Sequence, residues 1–131
     1  MSETDNVDAL IGLLQSDFTV YREVEVRHAL FRRRSLRVDV LAVPVDPALS
    51  DIAVAFEVKG YAVWDSDTLA RCLKQAGDYV LSSVEARSKD ASTHNGKRVM
   101  ATFVYPPLHP YSDKMSGKEA YLLNRYSKGA A

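Results

Sequence analysis

The alternation of apolar and polar positions divides the chain into segments of two different periods. Residues 4 to 16 open on Thr4 and Asp5, either of which can cap a helix, and then place Val7, Leu10, Ile11 and Leu14 at helical spacing. A short amphipathic helix is predicted. From Phe18 to Val26 the period drops to two, with Val20, Val24 and Val26 on one face and Tyr21, Glu23 and Glu25 on the other, which predicts a first strand. Leu36 to Val45 and Ile52 to Val58 are β-branched runs, and Pro44, Asp46, Pro47 and Ser50 between them are turn formers. These runs read as a hairpin with a loose connection.

The helical period returns from Ser66 to Val84, through Leu69, Cys72, Leu73, Ala76, Tyr79, Val80 and Ser83, with Ser66 or Asp67 as the cap. Residues 87 to 97 form a polar loop. Arg98 to Tyr105 is a further strand, ended by Pro106 and Pro107, and Ser116 to Tyr126 is a last helix. The order helix, three strands, helix, strand, helix predicts an α/β protein in which one mixed central β-sheet is flanked by α-helices. Residues 1–131 make a single domain.

Composition narrows the classes open to such a fold. With 131 residues, 47% hydrophobic and 26% charged, the chain is long and apolar enough to bury a core without staples. Its single cysteine, Cys72, cannot close an intrachain disulfide. His28, His94 and His109 lie in separate segments without zinc-ligand spacing and read as surface residues. The acidic stretch Met1 to Asp8 lacks the basic and apolar regions of a signal peptide, and no apolar run reaches membrane-spanning length. A reducing cytoplasm is expected, with no membrane partner. Seventeen basic residues balance seventeen acidic ones, which argues against coating nucleic acid through bulk charge. Contact must be local. The dense basic stretch from Arg27 to Arg37, with Arg32, Arg33 and Arg34 inside it, is either a solvated hairpin tip or a contact surface. In the second case Arg34 and Arg37 are the substrate-binding candidates.

The hairpin carries the chemistry. If Leu36 to Pro44 pairs antiparallel with Ile52 to Gly60 around a turn centred near Ala48, Asp39 falls opposite Glu57. Directly opposed residues share a face with Cβ atoms about 5 Å apart, so two carboxylates meet and need a cation or a proton between them. A hard divalent ion such as Mg²⁺ takes oxygen ligands of this kind. Period two places Lys59 on the face of Glu57 and turns Phe56 and Val58 toward the core. An ammonium there can stabilise the charge that grows on a phosphate during hydrolysis. The plainer alternative is that Glu57 and Lys59 merely solvate an exposed strand face. On the following helix Arg71, Gln75 and Tyr79 recur every four residues along one stripe. There the alternative is a surface glutamine and a core-edge tyrosine.

These three motifs, Arg37-Val38-Asp39, Glu57-Val58-Lys59 and Gln75-Ala76-Gly77-Asp78-Tyr79, resemble those of the PD-(D/E)XK nuclease superfamily, in its RecB-like branch with a QxxxY motif. The likeness runs in element order from about residue 7 to 105, with Val38 where the nominal family pattern has proline. It implies a restriction-endonuclease-like core, with Mg²⁺ or Mn²⁺ held by Asp39, Glu57 and the Val58 carbonyl. It also implies DNA as partner, with Gln75 and Tyr79 shaping the site or contacting nucleic acid. Many members carry a further acid upstream; Glu23 looks like that position and is preferred slightly over Glu25. The expected activity is that of a metal-dependent deoxyribonuclease of phage or mobile-element origin, with Asp39, Glu57, Lys59 and Glu23 as catalytic residues.

Two other readings accompany it. One is a Holliday-junction-resolvase-like enzyme, which would be a homodimer. The other is a non-catalytic module that keeps the nuclease fold to bind DNA or a protein. No phosphate-binding Gly-rich loop and no iron-sulfur cysteines occur in the sequence. Trp64 reads as a packing or lid residue rather than a base-stacking one, and Pro107 to Pro110 as a turn. Tyr111, Tyr121 and Tyr126 lie in a mildly basic tail suited to a second subunit or to DNA.

Overall fold

A computed structural model describes residues 2–31, 35–60 and 66–106. Arg34, Trp64, Pro107 to Pro110, His109 and the helix expected at Ser116 to Tyr126 lie outside the described residues. Within them the order is α1 (Glu3–Leu14), β1 (Phe18–His28), β2 (Ser35–Pro44), β3 (Ile52–Val58), α2 (Ser66–Val80), β4 (Ser82–Val84) and β5 (Arg98–Tyr105).

Helix α1 starts earlier than the apolar spacing suggests. Its cap is Ser2, not Thr4 or Asp5. The Ser2 hydroxyl accepts the Asp5 N–H at 3.2 Å and the Asp5 carboxylate accepts the Ser2 N–H at 3.3 Å, a reciprocal capping box. Those bonds hold the Asp5 carboxyl below its ordinary range. Leu10 on this helix is buried with Val40 and Val58, and Val7 and Leu14 pack beside them. A second, larger core contains Val24, Val26, Val38, Leu41, Val43, Ala55 and Tyr79. The sheet is therefore covered on two sides, and β3 contributes to both cores, Ala53 and Ala55 to one and Val58 to the other.

Strands β1, β2 and β3 form an antiparallel meander, and β5 joins parallel to β3 through the α2 crossover. The sheet is mixed, in the order β1-β2-β3-β5-β4. Its ends meet, because β4 pairs with the end of β1 (Val26↔Val84 to His28↔Ser82) and with β5 at Ser83↔Arg98, which closes a barrel. The second helix is accordingly shorter than its periodic pattern. It stops at Val80, where Leu81 N–H bonds the Asp78 carbonyl at 3.2 Å, and Ser82 to Val84, Ser83 included, become strand.

Strand β1 contains the main departure from simple alternation. Glu23 has φ of 50°, in the left-handed region. That backbone costs a residue with a Cβ about 1–2 kcal/mol. Tyr21 before it and Val24 and Val26 after it all pack in the same core, so the faces exchange at Glu23. The neighbouring strand does the same: Val38 shares a core with Leu41 and Val43, whereas Val40 joins the other. Both interruptions fall where Glu23 and Asp39 stand opposite each other in the register, between Arg22↔Val40 and Val24↔Val38.

Two histidines expected at the surface are not there. His28 is 2% exposed, and its Nδ1 accepts the N–H groups of Leu30 (3.0 Å) and Phe31 (3.2 Å), which fixes the end of β1. His94 is half-buried, with Nε2 2.9 Å from the Tyr21 hydroxyl. Burial and then the nearby Lys97 charge hold its pKa below the usual value.

Candidate active site

The site forms where β2 and β3 part. Their paired register runs to Val40↔Phe56, and one step further along the same register brings Asp39 opposite Glu57. At that step a side chain takes over from the ladder. The Asp39 Oδ2 accepts the Val58 N–H at 2.8 Å, so the carboxylate is wedged against the end of β3. The chain beyond is fastened from two further directions: Lys59 N–H donates to the Tyr105 carbonyl at 2.9 Å, and Asn6 of α1 donates from Nδ2 to the Lys59 carbonyl at 2.8 Å. Asn6 is 5% exposed and also reaches the Gly60 carbonyl at 3.5 Å.

Glu57 is buried, at 6% exposure, and does not sit on an open polar face. Its Oε1 lies 3.2 Å from the Lys59 ammonium, and its Oε2 accepts the Tyr79 hydroxyl at 3.3 Å. The same hydroxyl is 3.1 Å from the Arg37 carbonyl, so one residue of α2 ties Glu57 to β2. Burial raises the Glu57 pKa, and the negative charge of Asp39 raises it further; Lys59 and Tyr79 pull in the opposite direction without cancelling the shift. Tyr79 itself is 4% exposed, and its hydroxyl is pushed far above the ordinary tyrosine range, first by burial and then by the Glu57 and Asp39 charges. It is a neutral donor.

The sequence-derived residues divide between two clefts that flank the end of β3. One, of about 270 Å³, is bounded by Glu3, Thr4 and Val7 of α1, Arg22 and Glu23 of β1, Asp39 and Val58. Glu23 therefore reaches the Asp39 side, whereas Glu25 is engaged elsewhere, accepting the Arg87 N–H at 2.9 Å. The other cleft, of about 150 Å³, is lined by Lys59, Arg71, Cys72 and Gln75. Cys72 is 3% exposed and burial pushes its thiol up to about 11, so it contributes no charge. Glu57 is bonded to Lys59 and feels the negative charge of Asp39.

Of the remaining candidates, Gln75 lies on the Lys59 side as the helical spacing requires, but Tyr79 turns inward. Arg37 lends its carbonyl to Tyr79 while its exposed side chain faces Glu25, so its guanidinium lines neither cleft. Asn6 escapes a sequence reading, because a lone asparagine on a helix whose partner is main chain leaves no motif.

Among the described residues, no group of three or more His, Cys, Asp and Glu side chains is assembled that could hold a metal ion. A ligand set of two carboxylates and a main-chain carbonyl is a different arrangement, and the donors fit it. Each carboxylate oxygen has two lone pairs, so Glu57 keeps capacity beyond Lys59 and Tyr79, and the Asp39 Oδ1 is outside the Val58 bond. No helix among the described residues is long and apolar enough to cross a membrane. Comparison with protein-family models, with curated proteins and with solved structures finds no match.

Proposed function

We propose that this chain is a metal-dependent deoxyribonuclease with a restriction-endonuclease-like core, hydrolysing DNA phosphodiester bonds at the end of β3. The observation that carries the reading is the buried Glu57, next to Asp39 in register and bonded to the Lys59 ammonium at 3.2 Å. A purely structural strand end has little use for a buried carboxylate whose burial and nearest acidic neighbour both favour its neutral form. Such groups cluster at sites where charge is used.

Mg²⁺ or Mn²⁺ would be held by Asp39, Glu57 and the Val58 carbonyl, all hard oxygen donors. The chemistry such a cation supplies is polarisation of a phosphoryl oxygen and activation of water. The protein's own groups do the rest. Val58 N–H and Tyr79 hold the two carboxylates in place before substrate arrives. Lys59, with its main chain clamped between Asn6 and Tyr105, presents a fixed positive charge to the pentavalent phosphate and its leaving oxygen. Glu23 extends the acidic side of the cleft toward attacking water.

The test is cleavage of linear, circular, single-stranded and branched DNA with Mg²⁺ and with a chelator. Cleavage is expected with the metal only, and Glu57→Ala or Lys59→Ala should lower the rate about 100-fold or more. Undiminished cleavage by the Glu57→Ala protein would remove the assignment.

A further inference from the structure

We propose that the far end of the β1–β2 hairpin is a base-stacking platform, on which Phe31 takes an unpaired nucleobase of the DNA strand a few nucleotides from the phosphate being cut. The inference rests on the nuclease reading above and adds a substrate class, DNA that is unpaired beside the cut. Strand β2 runs on past the site, from Asp39 to Ser35, which pairs with Arg27. Four residues of strand cover roughly 13 Å, and a stacked DNA strand rises about 3.4 Å per nucleotide. Helix α2 follows the same path. Tyr79 bonds Glu57 and the Arg37 carbonyl, and two residues later the Leu81 carbonyl accepts the Ala29 N–H at 2.8 Å. Hydrogen-bonded structure thus joins the carboxylates to the residues that follow β1.

Leu30 is 74% exposed and Phe31 62%, and Leu81, across the Ala29 bond, is exposed as well. A lone exposed apolar residue needs no explanation, but these residues are held in place. The buried His28 accepts the N–H groups of both Leu30 and Phe31 at Nδ1, and its ring lies 5.0 Å from the Phe31 ring. Its Nε2 faces the Asp78 carboxylate of α2 at 3.7 Å. A buried histidine therefore fixes the backbone of two residues whose side chains meet water, and ordering a contact residue in advance lowers the cost of binding. Charge selects the occupant. The arginines of the strands already face acids, Arg27 bonded to Glu85 and Arg37 opposite Glu25. In the sequence Arg32, Arg33 and Arg34 follow Phe31 directly, and no acid occurs from Val26 to Val38. An aromatic ring next to a run of cations suits a nucleic acid, with a base on the ring and phosphates on the guanidinium groups. A paired duplex keeps its bases in their own stack, so Phe31 finds a free face only where the strand is unpaired.

The experiment measures binding without cleavage, by fluorescence anisotropy of a labelled oligonucleotide in a chelating buffer, single-stranded and as a fully paired duplex, across a range of salt concentrations. Phe31→Ala is expected to weaken single-strand binding about 10-fold or more and to leave duplex binding unchanged. The slope of log affinity against log salt should stay as in wild type, since stacking releases no counterions. Phe31→Trp should restore the affinity and Phe31→Leu should not, because leucine keeps the apolar surface without the aromatic face. Leu49→Ala is the control, an exposed apolar residue in the turn at the other end of β2, and should change nothing. Unaltered single-strand affinity for Phe31→Ala in a protein whose wild type binds and cuts DNA overturns the platform and leaves the nuclease intact. Full affinity in Phe31→Leu, or equal losses for Phe31→Ala and Leu49→Ala, overturns it too. So does a Phe31→Ala protein that keeps its DNA affinity but no longer binds vesicles of anionic phospholipid that wild type binds. A wild-type protein that neither binds nor cuts DNA removes the nuclease reading and the platform together.

Discussion

At the Ile52 end of β3 the main chain closes its own hydrogen bonds, whereas at the Val58 end side chains from other elements join the main chain in doing so. Around Ile52 the bonding is backbone to backbone, with Arg98 N–H on the Asp51 carbonyl at 3.2 Å beside the Ile52↔Arg98 pair. Around Val58 the side chains of Asp39 and Asn6 bond the main chain beside the Tyr105 carbonyl, and Tyr79 bonds the Glu57 carboxylate. Where two strands part, their unmade ladder bonds become anchors, and polar side chains can be buried there without being orphaned. The same anchors leave a carboxylate in a place where its charge is unfavourable unless something positive arrives.

The sharpest way to break this contrast is Asp39→Asn. Asparagine still offers an oxygen to the Val58 N–H, so the strand end should keep its shape and thermal melting should stay within about 0.5 kcal/mol of wild type. Cleavage should fall about 100-fold or more. If melting collapses while residual activity persists, Asp39 belongs to the fold rather than to the chemistry. Next in size is Asn6→Leu, which strips a buried partner from the Lys59 carbonyl at the end of β3 where side chains supplement the main chain. A loss of about 1–3 kcal/mol by chemical denaturation is expected, and a neutral result would mean that the clamp is not needed.

A smaller effect is the pH dependence of stability in a chelating buffer. The Glu57 pKa is raised in the fold above its ordinary 4.5. Its contribution to stability is therefore fully present below pH 4.5 and is lost as pH rises through the folded value. Glu57→Gln should flatten that decline and raise the neutral-pH melting temperature, and Mg²⁺ should raise melting in wild type but not in the variant. A variant that melts below wild type at neutral pH would show that Lys59 and Tyr79 outweigh burial. Smallest of all is Arg98→Ala at the self-sufficient end, where the main-chain bonds survive and the change should stay within about 0.5 kcal/mol.

How much of this was readable from the chain differs by element. The hairpin register was, because the pairing supposed for the two apolar runs around a turn near Ala48 is the one the observed pairs follow. The coarse α/β class and the mixed sheet followed from the same periodicity. Glu23 shows the limit: period two puts it with Tyr21 and Glu25, and nothing in a glutamate announces a left-handed backbone. Residues Ser82 to Val84 fit helical spacing as well as strand spacing over so short a run, and the choice was made by pairing with β1. His28 and His94 read as surface residues because their partners, main-chain amides and a tyrosine, are distant or carry no motif. At the site, the acid pair and lysine were legible as a pattern, but the burial of Glu57 and the clamp from Asn6 arise only when three elements converge.

The sole thiol of the chain has a use of its own. Cys72 lines the Lys59 cleft at 3% exposure, with its ionisation pushed up to about 11 by burial. A thiol so shielded reacts slowly with alkylating reagents until α2 lifts from the strand beneath it. The native protein thus contains a one-residue clock for local opening at this helix, legible by mass spectrometry without any engineered label.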